Sequence, residues 1–148
     1  MSKKRWISVA AAMVAAVAVM CVFYFPRQAA KVLDLQEQMP VSIHATVNRA
    51  AESVADAEKY STADAQKVAD AVTCLRELRV RYLNNSSVTT YRSQETAWIT
   101  VVYDDGSQRR IFFAPDGKLR YDDKNYGSVD AAPLKELMAQ IKNWEAAQ

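Results

Sequence analysis

Two adjacent acid pairs, Asp104-Asp105 and Asp122-Asp123, and the chain's one histidine, His44, are the residues best suited to chemistry. Carboxylates and an imidazole can share general acid and base work in a hydrolase. That reading needs His44 to converge with acids far away in the chain. The acids lack the alternating ligands and terminal glutamate of a calcium loop. His44 has no second ligand at zinc spacing. No metal site is therefore expected. Cys74 has no histidine near it in sequence, so a Cys-His nucleophile has no support. It reads as a small buried apolar residue, with an intermolecular disulfide as the alternative. Cys21 lies in an apolar run and cannot meet Cys74 without strain. There is no Gly-x-Ser-x-Gly, phosphate loop or dinucleotide fingerprint. The expected protein is not an enzyme and takes no cofactor.

Recognition is the more natural use of what remains. Trp98, Arg110, Phe112 and Arg120 fall on one face of an expected sheet and form the candidate partner surface. Tyr103, Tyr121 and Tyr126 lie near the acid pairs, as a recognition edge or as packing. The net charge is +2, and no basic stripe with interleaved aromatics exists, so nucleic acid is not expected as a partner. A protein partner is expected, and a homo-oligomer is left open. Asn84-Asn85-Ser86 and Asn85-Ser86-Ser87 match the short glycosylation pattern.

The strongest positioning signal lies at the start of the chain. Ser2-Lys3-Lys4-Arg5 precedes a charge-free run from Trp6 to Phe25. A run of about 20 apolar residues is long enough for one membrane-crossing helix. Trp6 at one end and Phe23, Tyr24 and Phe25 at the other fit the bilayer interfaces, and Pro26 ends the helix. A cleaved signal peptide is the alternative, but Arg27 and Gln28 stand where a small residue belongs before a cut. Met20 before Cys21 argues against lipid attachment. The organisation expected is residues 1–5 cytoplasmic, 6–25 a transmembrane signal anchor, 26–40 a juxtamembrane stalk and 41–148 an extracytoplasmic domain. The basic flank places that domain outside the cytoplasm.

Val41 to Val47 alternates as a half-buried strand, with His44 on its polar face. Ala50 to Tyr60 is left open between helix and strand. Ser61 or Thr62 caps a helix whose apolar stripe is Val68, Ala71, Val72, Leu75 and Leu78, with Asp64 favouring its N-terminus. Asn84 to Ser87 reads as a loop. From Thr96 the period becomes two, and three strands follow at 97–103, 109–114 and 118–122. Asp104 to Ser107 and Pro115 to Gly117 turn the chain between them. The second turn pairs Phe113 with Leu119 and Ile111 with Tyr121. The first hairpin leaves open whether Trp98 or Ile99 faces the core, because a slip by one residue exchanges them. Asp130 and Pro133 start a last helix with the stripe Leu134, Leu137, Met138, Ile141 and Trp144. Two one-sided helices and one sheet make a two-layer α+β domain with three strands in a meander and one more beside them.

The stretch TAWITVVYDDGSQRRIFFAPDGKLRYDDKNYG, set between a capped helix and a capped C-terminal helix, resembles small extracytoplasmic domains of unknown function. Such domains follow a single membrane span in many bacterial membrane-anchored proteins. The resemblance covers roughly 41–144 and implies a noncatalytic module, with no functional residues to carry over. The expected function is a membrane-tethered extracytoplasmic binding or accessory module. The alternatives are an inhibitor or immunity-type protein of the cell envelope, and a hydrolase using the acidic pairs.

Overall fold

A computed structural model of the chain describes residues 3–49, 57–83 and 95–147, with side chains from Arg5 to Cys21 and from Phe25 onward. Residues 50–56, within the segment left open, and the Asn84 to Ser87 loop with its glycosylation patterns lie outside the described residues. The elements run α1 (Lys3–Tyr24), β1 (Arg27–Gln28), α2 (Ala29–Val32), β2 (Ser42–Asn48), β3 (Glu58–Thr62), α3 (Ala65–Glu77), β4 (Arg79–Leu83), β5 (Thr96–Val102), β6 (Gln108–Phe113), β7 (Lys118–Tyr121), β8 (Lys124–Ser128), α4 (Ala132–Ile141) and β9 (Glu145–Ala146).

The strands form one antiparallel sheet in the order β1-β4-β8-β7-β6-β5-β2-β3-β9. The α+β class therefore holds, but the sheet has nine strands rather than three or four. The expected meander is present as β5-β6-β7. Gly106 and Gly117 take positive φ in its two turns, at 78° and 102°. Asp105 and Asp116 brace those turns by accepting hydrogen bonds from the backbone amides of Ser107 and Lys118. Phe113 stands opposite Leu119, as expected. Ile99 stands opposite Ile111, which settles the first hairpin. Ile99 is the core residue, and Trp98 is on the other face.

The added strands are short or polar. β8 returns from β7 through Asp122 and Asp123, both at positive φ, a conformation aspartate tolerates better than most residues and one that tight hairpins use. β4 starts directly after α3 and alternates exposed Arg79 and Arg81 with buried Val80 and half-buried Tyr82. Two-residue strands, β1 and β9, close the sheet at its edges by pairing with β4 and β3. Exposed edges offer unpaired backbone groups that such segments can satisfy.

Helices α2, α3 and α4 pack against one sheet face. Their buried side chains, including Ala29, Val68, Leu75, Leu137 and Ile141, join Ile43, Val47, Ile99, Val101, Ile111 and Phe113 in one core. Three local expectations change. Asp64, rather than Ser61 or Thr62, caps α3, accepting from the amides of Gln66 and Lys67 at 3.0 and 2.9 Å. Ser61 and Thr62 belong to β3. Trp144 is buried just beyond the end of α4 rather than within it. Asp130 does accept a hydrogen bond from the Ala132 amide at the start of α4.

The N-terminal region differs most. Residues 26–40, expected as a stalk, join the domain. Ala29 and Leu33 are fully buried, and the Ala29 amide donates to the Leu78 carbonyl. Arg109 holds this segment from below through an ion pair with Asp34 at 2.6 Å. Helix α1 is apolar and exposed from Arg5 to Cys21. Among the described residues, no helix is long and apolar enough to cross a membrane. The transmembrane helix expected at 6–25 is therefore not seen among the described residues.

Candidate functional site

The sheet has two unlike faces because side chains alternate along each strand. One face meets the helices. The other carries Thr46, Trp98, Phe112, Arg120 and Asn125 in one cross-strand row, each opposite the next through β2, β5, β6, β7 and β8. Every buried helical side chain belongs to the core on the opposite side. Among the described residues, no helix covers this second face.

Trp98, Arg110, Phe112 and Arg120, expected as a partner surface, come together on it. The Trp98 and Phe112 rings lie 5.1 Å apart between centroids. Phe112 is only 7% exposed, so it forms the floor of the patch. The Arg110 guanidinium sits 4.7 Å from the centre of the Trp98 ring. That cation–π contact holds a long side chain over the sheet. Arg120 pairs with Asp123 at 2.9 Å and remains exposed. The strand ladder thus holds an aromatic pair and two guanidinium groups in fixed register.

Reading the sequence missed part of the same face. Arg79 and Arg81 are not among the residues expected on a partner surface, yet β4 places both on this side. Arg81 lies opposite Gly127, and Gly127 lies opposite Lys118. The alternation of Arg79, Val80, Arg81 and Tyr82 was the available signal. Its position directly after a helix, with no Gly or Pro between, obscured it. Among the described residues, Arg79, Arg81 and Arg110 have no ion-pair partner.

The acid pairs behave as turn residues. Asp104 and Asp105 lie between β5 and β6, and Asp122 and Asp123 between β7 and β8. Hydrogen bonds from the Ser107 hydroxyl and amide hold the Asp105 carboxyl below the usual carboxylate range. Asp122 pairs with Lys124 at 3.7 Å and Asp123 with Arg120. His44 is exposed on the second sheet face, opposite Thr100, with its Nε2 3.5 Å from the Ser42 hydroxyl. Its position is within a strand, whereas the acids occupy the loops. Among the described residues, no group of three or more His, Cys, Asp or Glu side chains is placed to hold a metal.

The tyrosines divide by burial. Tyr103 is in the core, and its hydroxyl accepts from the Gln36 amide at 3.1 Å. Tyr121 and Tyr126 are half-buried against the core, and desolvation raises both of their pKa values. They pack the domain rather than line the face. Cys74 is buried at the α3–α4 contact, where the Gln140 amide approaches its Sγ at 3.6 Å. Burial pushes its thiol up to about 11, which disfavours the reactive thiolate. No family model, curated protein or solved structure matches the chain.

Proposed function

We propose that this protein is a noncatalytic binding module, tethered to the cell membrane through α1 and displaying its domain outside the cytoplasm. The observation that carries the reading is the gathering of Trp98, Arg110, Phe112 and Arg120 on the sheet face opposite the helices. A flat face with fixed aromatic and guanidinium groups suits protein recognition, where Trp and Arg supply much of the binding energy. The tether is supported by the charge-free run Trp6 to Phe25, the basic residues before it and the exposure of α1. The domain's own core is complete without the apolar side chains of α1, none of which joins it among the described residues.

The test places a photoreactive residue at Arg110 in the full chain and crosslinks in membranes. A discrete protein adduct from position 110, absent when the residue is placed at exposed Lys135 on α4, supports the reading. Arg110→Glu and Arg120→Glu are expected to reduce adduct yield or partner capture without lowering Tm. Equal capture by both variants removes the surface assignment. Alkaline carbonate extraction addresses the tether separately. The full chain should stay with the membrane pellet, and a chain starting at Arg27 should leave it; release of both overturns the tether.

A further inference from the structure

We propose that the helix-free sheet face binds an acidic polypeptide segment, with β4, β6 and β7 supplying the cations that recognise its carboxylates. This rests on reading that face as a partner surface and adds the chemistry of the partner. The face-directed positions of these strands include Arg79, Arg81, Arg110, Lys118 and Arg120. With β8 between β4 and β7, these four neighbouring strands place no acid on that face. Among the described residues of these strands and their turns, carboxylates reach it from the turns: Asp116 pairs with Lys118 and Asp123 with Arg120.

This concentration is not visible in the net charge, which is +2 for the whole chain. The fold sorts charge by face. The row through Arg81, Gly127 and Lys118 meets the chain at Ala114, four residues from Arg110, so three strand spacings of about 4.8 Å and four rises of about 3.3 Å put Arg81 and Arg110 about 19 Å apart. An extended peptide covers that distance in about six residues. Between Arg81 and Lys118 lies Gly127, and the Leu83 side chain fills the space a Cβ there would take, with its methyl carbon 3.2 Å from that position. A segment crossing the strands therefore meets cations on both sides of an apolar side chain.

Guanidinium groups favour carboxylates because their paired N–H donors match both oxygens. Four of the five cations are arginines. The patch suits single-stranded nucleic acid less well. Successive bases need a series of open aromatic platforms, while Trp98 is already capped by Arg110 and Phe112 is buried. The carboxylates of an acidic segment need no such platforms. They can bind Arg79, Arg81 and Arg110 directly and compete with Asp116 and Asp123 for the other two cations.

The test uses the full chain in detergent micelles with a fluorescein-labelled oligoglutamate, read by fluorescence anisotropy. Oligoglutamine and oligothymidylate of equal length are the other probes. Saturable oligoglutamate binding that weakens with salt is expected, with no binding of oligoglutamine. Arg81→Glu and Arg110→Glu should each weaken binding about tenfold or more, while Lys135→Glu on α4 leaves it unchanged. Circular dichroism melts identify any variant that fails to fold, and the milder Arg81→Gln then replaces Arg81→Glu. No saturable binding overturns the proposal, as does an equal loss with Lys135→Glu. Tighter binding of oligothymidylate through the same arginines overturns it in favour of nucleic acid. A protein adduct from position 110 together with no oligoglutamate binding would leave the partner face standing and remove only its acidic chemistry.

Discussion

Ile99 and Trp98 are adjacent apolar residues with opposite roles. Ile99 is fully buried against Ile111, while Trp98 lies beneath the Arg110 guanidinium on the other face. Ile99→Ala should cost about 2–5 kcal/mol, because it removes buried methyl groups and leaves a cavity. Trp98→Ala should cost less stability and more binding. Urea melts and partner-binding assays on both variants measure this exchange. Cys74 makes a second residue-scale prediction. Its native pKa of about 11 exceeds the ordinary thiol value of 9.0. The native thiol therefore holds its proton after the unfolded thiol has lost it. This group's contribution to stability is full below pH 9.0 and falls as pH rises toward about 11. In a Cys21→Ser background, maleimide should label Cys74 slowly in the native protein and quickly after denaturation. Fast native labelling at neutral pH would contradict the buried environment.

At the scale of elements, the cap of α3 and the recruited strands are the informative features. Asp64→Ala removes acceptors for two backbone amides and should cost about 1 kcal/mol, measured by thermal or urea unfolding. An unchanged melt would mean that solvent or a neighbour replaces the cap. The helices and the β5-β6-β7 meander were legible because their apolar spacing and their turns agree. Val68, Ala71, Val72 and Leu75 repeat at helical period; Ile99 and Val101 alternate; Asp-Gly pairs sit between the strands. β1, β4, β8 and β9 were not legible for the opposite reason. Lys124 to Ser128 contains one large apolar residue, Tyr126, and β1 is Arg27-Gln28. Such segments become strands because a neighbouring edge offers hydrogen bonds, a tertiary effect that local pattern does not carry. The candidate face was half legible on the same terms. Arg110 and Arg120 came with the recognisable meander, whereas Arg79 and Arg81 came with a strand that only β8 reveals.

At the scale of the molecule, residues 26–40 tie the apolar helix to the core. A chain starting at Arg27 should keep the domain's stability, while one starting at Val41 loses the burial of Ala29 and Leu33. Loss of a buried leucine side chain alone costs about 2–5 kcal/mol, so the shorter chain should unfold at markedly lower urea concentration. Equal midpoints would show that the segment adds nothing to the core. The strand order also has a consequence in time. β5 to β8 join neighbours in sequence through short turns, so their pairings need little loop closure. Other pairings join distant segments: Arg27 with Val80, Ala45 with Ile99, and Ser61 with Glu145. Such non-local contacts must form against chain entropy before packing rewards them. The meander is the natural first scaffold, and the β3–β9 join, which spans the longest loop of the three, is the natural last latch. Until that latch closes, the β3 edge stands open to other chains, so the interval before closure is when this protein is most exposed to aggregation.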